Sequence, residues 1–373
     1  MDTQWLKVDR GDAAAEGAAR QAACALAEGK LVAFPTETVY GVAALATCES
    51  AMENLRELKD RPSRPFSVHM AGPAEVQRYV SAVPEPARRM IRGGWPGPLT
   101  LILPVGAGLG DADLAARDGL AEQLCSDGYI GLRCPDEPVA QAMLAGVDGP
   151  VVAPSANLAG QPSPRSGQDV IDSLNGRIDM LLDTGPTQYG NDSTIVRVDG
   201  EDWSVLRAGV LSERDVRAML KRVLLFVCTG NTCRSPMAAG LARKILAEKE
   251  HCRVGELPSR GVEVLSAGVS AGPGQPATPA AIEAAGKLGA DISSHRSRPL
   301  TGELIRRADR VFCMTAHHAR AVADLDPTSA GKIVLLGGPA GVADPIGSGL
   351  DVYVQTARDL ESALKKTLTE TVA

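Results

Sequence analysis

The segment Val223-Leu-Leu-Phe-Val-Cys-Thr-Gly-Asn-Thr-Cys-Arg-Ser-Pro-Met237 constrains this chain more than any other. Its apolar opening reads as a buried strand that ends at Cys228. Gly230 and Asn231 follow, the residue types that accept a left-handed backbone. A helix then starts near Ser235, with Met237, Leu241 and Ile245 stacked four apart. Such a strand–loop–helix turn aims successive backbone N–H groups at one point, where the helix dipole adds positive potential. The product is an anion cradle sized for a phosphate. A thiolate at its base is stabilised by those amides, so Cys228 reads as a nucleophile. Arg234 can grip two phosphoryl oxygens at once, which a lysine cannot. A buried strand-end cysteine is usually structural, and Cys24, Cys48, Cys125, Cys134 and Cys252 are read that way. Cys228 is the exception because C-x(5)-R-S sits in the context that such a cradle requires.

The rhythm continues downstream. Strands are expected at 262–265, 310–314 and 332–336, with helices between them, one opened by Thr278 as N-cap and Pro279 in its first turn. The expected fold is α/β with a doubly wound parallel sheet. At 373 residues the chain exceeds one comfortable core, so a second domain is expected ahead of this one. There, strands are expected at 31–35, 99–103, 129–133, 151–153, 194–198 and 204–207. Helices are expected from Asp12 to Ala23 and at 50–58, 84–92, 137–144 and 167–174. This order predicts an α/β domain with a twisted, mixed sheet. Ser212 and Asp215 stand at capping-box spacing, which predicts a helix over 211–221 rather than a loose linker. The boundary is placed near Lys221, giving domains 1–220 and 221–373.

Composition narrows the function classes. A net charge of −6 argues against a general nucleic-acid binder, and 3% aromatic residues leave little for a base-stacking platform. No apolar run approaches the roughly 20 residues a bilayer span needs, so no membrane partner is expected. Asp2, Asp9, Asp12 and Glu16 interrupt any signal-peptide stretch. The eight cysteines form no C-x-x-C pair and no zinc spacing, which predicts reduced thiols in a cytoplasm and no structural metal.

From Lys221 to Lys366 the chain resembles the low-molecular-weight protein tyrosine phosphatase family. The likeness rests on the Cys228 segment, Ser266-Ala-Gly268, Ile292-Ser-Ser-His-Arg-Ser-Arg298 and Ala343-Asp-Pro-Ile-Gly347. It implies a cysteinyl-phosphate intermediate and no cofactor. Asp344 becomes the proton donor to the leaving group and then the base for water, and Ser235 a hydrogen-bond partner of the Cys228 thiolate. An aspartate before proline is common in turns; its place in the matching segment outweighs that. Phosphotyrosine-specific members carry a larger aliphatic residue or a serine where this chain has Thr232, and tyrosines where it has Ile346. Thr232 is similar to the protein-arginine-phosphatase branch, where it narrows the pocket and helps to orient the nucleophile. Phosphoarginine on proteins is therefore the favoured substrate and phosphotyrosine the alternative. Arsenate reductases share the fold but need two resolving cysteines, and Cys313 stands alone.

In the front half, Lys59, Arg61 and Arg64 fall within six residues after a short helix. A basic run is usually a solvated face, a lone His69 usually a satisfied core residue, and Thr36 and Thr38 flanking Glu37 fit plain strand alternation. The order of five stretches overrides these readings: 34–41 (FPTETVYG), 59–69 (KDRPSRPFSVH), 95–104 (WPGPLTLILP), 153–160 (APSANLAG), and 192–194 (DST) with Arg207. From about Ala19 to Ser212 they resemble the YrdC family.

That resemblance implies synthesis of L-threonylcarbamoyl-AMP from L-threonine, bicarbonate or CO2, and ATP. The carbamate attacks the α-phosphorus and releases pyrophosphate. The product then passes to a separate transferase that modifies adenosine in tRNA. It places Thr38, His69, Arg133, Ala153 and Ser193 on threonine-binding positions, and Lys59, Arg61, Arg64, Ser155, Asn157, Ser163 and Arg207 on nucleotide positions. With no G-x-x-x-x-G-K-[ST], side chains must neutralise the triphosphate. Magnesium is expected as the ATP counter-ion, with no dedicated carboxylate cage. The 61–69 loop is one residue short of the family pattern, Arg64 replaces the usual Asn or Lys, and Tyr129 replaces the usual Thr. An alternative from another class is a binding module for double-stranded RNA or tRNA, which ATP- and threonine-dependent pyrophosphate release would exclude.

Overall fold

The computed structural model describes residues 2–9, 13–61, 64–106 and 108–371, which form two compact units, Met1–Met219 and Leu220–Ala373. The expected helix start at Asp12, and Pro62 and Ser63 of the basic stretch, lie outside the described residues.

In the first unit the strands are β1 (Gln4–Lys7), β2 (Val32–Phe34), β3 (Gly41–Leu45), β4 (Val68–His69), β5 (Leu99–Pro104), β6 (Cys125–Ser126), β7 (Tyr129–Arg133), β8 (Val151–Val152), β9 (Met180–Asp183), β10 (Thr194–Asp199) and β11 (Asp202–Arg207). Among the described residues they make one mixed sheet, ordered β1-β9-β2-β3-β8-β4-β7-β5-β10-β11, with β6 paired to β7. The sequence reading missed β1, β3, β4, β6 and β9. β3 is buried throughout, so it lacks an alternating pattern, and β4 has only two residues. Residues 35–40, where plain strand alternation around Glu37 was the reading that motif order overrode, form a bend: the Thr36 hydroxyl accepts the N–H groups of Thr38 and Val39, both at 3.2 Å.

The helix Ala13–Ala27 packs on Pro138–Ala145 and on β2, β3 and β9, burying Leu26, Phe34 and Met143. Each such side chain contributes about 1.5–3 kcal/mol of transfer free energy. Beyond this core, register aligns one residue from each of five strands. His69 pairs with Arg133, Arg133 with Thr100, Thr100 with Ile195, and Ile195 with Arg207. The last step crosses a bulge: Val196 faces Val205, so both Leu206 and Arg207 stand opposite Ile195. A bulge re-aims a side chain in this way. Leu206 is left 57% exposed.

The helix Glu213–Met219 carries the expected capping box: Asp215 N–H donates to Ser212 Oγ (3.3 Å), and Ser212 N–H to Asp215 Oδ2 (2.9 Å).

The second unit is a four-stranded parallel sheet ordered β13-β12-β14-β15, from β12 (Arg222–Cys228), β13 (Val262–Gly268), β14 (Arg310–Cys313) and β15 (Ile333–Leu335). Strand pleating divides β12 between two cores. Leu224, Phe226 and Cys228 face the helices Arg234–Lys249, Pro279–Lys287 and Leu350–Thr371. Val223, Leu225 and Val227 face the opposite layer with Ile305 and Val322. Phe226 stacks on Phe312 at 4.8 Å, worth about 0.5–1.5 kcal/mol beyond burial. Thr278 caps its helix as expected, accepting from Ala281 N–H at 3.3 Å.

Candidate active sites

In the first unit the five-strand row floors a cleft of about 540 Å3. Period-2 pleating puts Tyr129, Gly131 and Arg133 of β7 on that same face. A Cβ at Gly131 would come within 2.7 Å of the Ser67 hydroxyl, so only glycine keeps this floor open. Of the expected binding residues, Lys59, Arg61, Arg64, His69, Arg133, Ala153, Ser155, Ser193 and Arg207 line the cleft. Thr38 does not: it lies buried behind Arg133 and accepts its guanidinium N–H. Asn157 and Ser163 line an adjacent groove. Lys59 and Asp192 tie them to the cleft.

Lys59, Arg61 and Arg207 are each held in place. Lys59 Nζ donates to the carbonyls of Ser155 (2.9 Å) and Asn157 (2.6 Å) and to Asn157 Oδ1 (3.0 Å). None of these acceptors carries a charge, and burial, helped by Arg61, pushes the Lys59 amine down to about 8. Burial, then Arg64, likewise lowers Arg61, whose guanidinium lies over the Phe66 ring at 5.4 Å. Arg207 donates to Ser193 O (2.8 Å) and Ser193 Oγ (3.1 Å) and sits 3.7 Å from Asp192. Ser163 Oγ donates to the same carboxylate at 3.0 Å.

Arg133 is fixed by the buried carboxylate of Glu37 at 2.9 Å, which in turn accepts the Asp136 N–H at 3.0 Å. Arg133 Nε is buried with no hydrogen-bond partner. Beside it, burial, reinforced by Arg133, pushes His69 down to about 3, so its imidazole is neutral at physiological pH. Thr100 and Ser193 share a hydrogen bond of 2.9 Å. This end suits a small zwitterion, with the cationic side chains beside it suited to a polyphosphate. Tyr129 lines the same cleft, with the Arg197 guanidinium 3.8 Å from its ring centroid.

In the second unit the loop after β12 closes around Cys228. Ser235 Oγ lies 3.0 Å from its sulfur and Asn231 N–H donates to it at 3.3 Å. Of the two residues expected to turn the backbone left-handed, Asn231 alone does so (φ 55°). Its side chain is the hub of the loop. Nδ2 donates to Ser235 Oγ (2.8 Å) and Ser266 Oγ (2.9 Å), while Oδ1 accepts from Arg298 N–H (2.9 Å). His295 Nε2 lies 2.7 Å from its carbonyl. Gly268 lets β13 approach: a Cβ there would clash with Thr229 O and lie 2.9 Å from Asn231 N. Asn231 therefore explains why the Ser266-Ala-Gly and His295-to-Arg298 stretches belong to this site. Sequence reading quoted both as matches but gave them no role.

Arg234 donates to Asp344 and, at 3.2 Å, to Val342 O. The cradle arginine and the expected acid thus stand in contact, with Asp344 partly exposed. Thr232 sits on the loop, but its hydroxyl lies against Cys233 Sγ (3.8 Å) rather than the nucleophile. Cys233 also meets Thr278 Oγ1 and Tyr353 Oη, both at 3.5 Å. Ile346, two residues after Asp344, is 66% exposed. Also missed from sequence are Thr229 and His318, joined at 3.0 Å.

Comparison with known proteins agrees with this division. The Sua5/YciO/YrdC family model, described as telomere recombination, matches residues 24–209, and the low molecular weight phosphotyrosine protein phosphatase model matches 223–373. The chain is 34% identical over 223 residues to the threonylcarbamoyl-AMP synthase of Bacillus subtilis, covering 59% of this chain and 62% of that one. It thus spans about three-fifths of that relative's length. It is 40% identical over 148 residues to the protein-arginine-phosphatase of B. subtilis, covering 38% of this chain and 92% of the relative. Among solved structures, a double variant of Pyrococcus abyssi Sua5 superposes with a TM-score of 0.51 at 25% identity, covering 72% of this chain and 91% of that one. The chain belongs to the Sua5/YciO/YrdC family through its first unit and to the low molecular weight phosphotyrosine protein phosphatase family through its second.

Proposed function

We propose that the chain is bifunctional: the first unit makes L-threonylcarbamoyl-AMP, and the second hydrolyses phosphoarginine on proteins. For the first, the carrying observation is the five-strand row beneath Lys59, Arg61 and Arg64. Buried Arg133, with an unpartnered Nε, suits the carboxylate of L-threonine, whose amine captures bicarbonate or CO2 as a carbamate. Neutral His69 and the Ser193 hydroxyl complete the polar contacts, while Thr38 acts from behind by holding the Arg133 guanidinium. The carbamate oxygen attacks the α-phosphorus of ATP, the bond to the β-phosphate oxygen breaks, and pyrophosphate leaves. Lys59, Arg61, Arg64 and Arg207 offset the charge that grows on the phosphates, with Ser155, Asn157 and Ser163 binding alongside and Ala153 shaping the wall. Among the described residues no group of three or more His, Cys, Asp or Glu is arranged to hold a metal. Magnesium would therefore arrive with the nucleotide. The product would pass to a tRNA-modifying transferase.

For the second, the carrying observation is the cradle in which Asn231 N–H and Ser235 Oγ meet the Cys228 sulfur while Arg234 contacts Asp344. Cys228 attacks phosphorus, Asp344 protonates the leaving nitrogen, and the cysteinyl phosphate is hydrolysed with Asp344 taking the water's proton. Thr232 favours phosphoarginine over phosphotyrosine, and the likeness to a protein-arginine-phosphatase supports that reading.

The test is one panel on the intact chain. Pyrophosphate release should require both ATP and L-threonine, and phosphate release should be faster from phosphoarginine than from phosphotyrosine or arsenate-challenged controls. ATP turnover indifferent to threonine would refute the first reading, and a preference for phosphotyrosine the second.

A further inference from the structure

His318 is 2% exposed and lies on the helix Ala316–Leu325, outside the phosphate loop. Both its ring nitrogens are engaged. Nε2 stands 3.0 Å from the hydroxyl of Thr229, the residue that follows the nucleophile, and Nδ1 stands 2.9 Å from the hydroxyl of Thr315. Burial, then the nearby Arg234, pushes this imidazole down to about 4, so it carries one N–H and one lone pair at neutral pH. His317 adds to this lowering and Asp344 opposes it, so the imidazole feels both members of the Arg234–Asp344 pair.

The helix end favours one of the two tautomers of His318. Thr315 is the N-cap residue of Ala316–Leu325, yet its side chain accepts no backbone N–H of that helix. Its lone pairs are open to an Nδ1–H donor. Nε2 then has only a lone pair to offer, so it accepts the Thr229 O–H. That hydrogen is committed, and the Thr229 oxygen presents acceptor lone pairs at the exposed rim of the loop.

We infer that His318 is a positioning residue that turns the Thr229 hydroxyl into a hydrogen-bond acceptor for the leaving group of the phosphatase substrate. A phosphorylated guanidinium has donors and no acceptors on its leaving side, whereas a phenolic leaving group has no donor to offer. The Thr315–His318–Thr229 relay therefore selects for the former. This rests on the phosphoarginine reading above and adds a selecting group that the loop sequence alone does not reveal.

The experiment compares kcat/KM of the intact chain on a phosphoarginine peptide and on p-nitrophenyl phosphate. Thr229→Val and His318→Phe should each lower the phosphoarginine-to-aryl-phosphate ratio by about tenfold, the effect of one lost polar contact. The double variant should fall no further than either single, because both changes remove one interaction. Thr229→Ser should hold the ratio within about twofold. His318→Asn, whose amide is too short to span both hydroxyls, repeats the test if His318→Phe does not fold, with inhibition by inorganic phosphate reporting an intact cradle. A ratio unmoved by Thr229→Val, or single effects that multiply in the double variant, would overturn the inference while leaving the substrate reading in place. A parent chain inert toward phosphoarginine would instead remove the substrate reading, and this inference with it.

Discussion

On the proposed function, the two units would meet phosphate-type charge in opposite ways. In the first, a cation-lined cleft is assembled from side chains on β4, β5, β7, β10 and β11 and the loops beside them, and His69 and Arg207 of one row stand 138 positions apart. In the second, the eight consecutive residues Cys228 to Ser235 hold the proposed nucleophile with its amides, arginine and hydroxyl. A cleft of distributed side chains can be tuned one residue at a time, each change felt in proportion. A cradle of backbone amides around one sulfur has a single indispensable atom.

Loss of that atom should give the largest effect. Cys228→Ser is expected to lower phosphatase turnover by at least ~10⁴-fold, as removing a nucleophile does. Pyrophosphate release by the first unit should stay within about twofold. Loss of both activities in a folded variant would break the comparison by making the units interdependent. The distributed cleft should show smaller, graded losses: Lys59→Ala and Arg61→Ala are each expected to lower synthase kcat/KM by ~10²-fold. An ATP KM and kcat near the parent's would remove these residues from the charge inventory.

Asp344→Asn should separate substrates by leaving group. We expect a loss of ~10–10²-fold on phosphoarginine and much less on an activated aryl phosphate, since only the former needs a proton. Equal losses would make Asp344 a partner that merely holds Arg234. Thr232→Ile should shift the phosphoarginine-to-phosphotyrosine ratio by ~1–3 kcal/mol toward phosphotyrosine. The Thr232 hydroxyl faces Cys233, so an unmoved ratio would show that it acts through packing. The smallest effect is a titration. Lys59, lowered to about 8, is charged below that pH and neutral above it. The ATP KM of the first unit should therefore rise severalfold between pH 7 and 9, and a profile flat to pH 10 would show that the lysine stays charged.

How much was legible in the sequence follows the same divide. The loop, its strand and its helix are contiguous, so residue order alone places Cys228, Arg234 and Ser235 together. The hub role of Asn231 is not contiguous: its partners Ser266, His295 and Arg298 come from two other segments. The first unit's proposed binding residues rest on motif order, not on any local pattern. Glu37 shows why. It looks like the middle of an alternating strand, but the Thr36 hydroxyl bends the backbone and turns this carboxylate onto Arg133. His318 carries no signal in the sequence, because only the folded chain brings Thr229 to it. The long helix Leu350–Thr371 also went unread, although Leu360, Leu364 and Leu368 repeat every four residues on its buried side.

The bulge at Leu206 has a consequence for anyone engineering this chain. A stabilisation campaign would mark that leucine as a flaw, an aliphatic side chain left in water, and would replace it or trim it away. Replacement with threonine respects the spacing and should be harmless or mildly helpful, since surface changes usually move stability by less than about 0.5 kcal/mol. Trimming is different in kind. It would remove the extra residue that sets the aim of Arg207, trading a hydration penalty at the surface for an arginine re-aimed in the cleft. The leucine's worth lies in its occupying a place, not in its side chain.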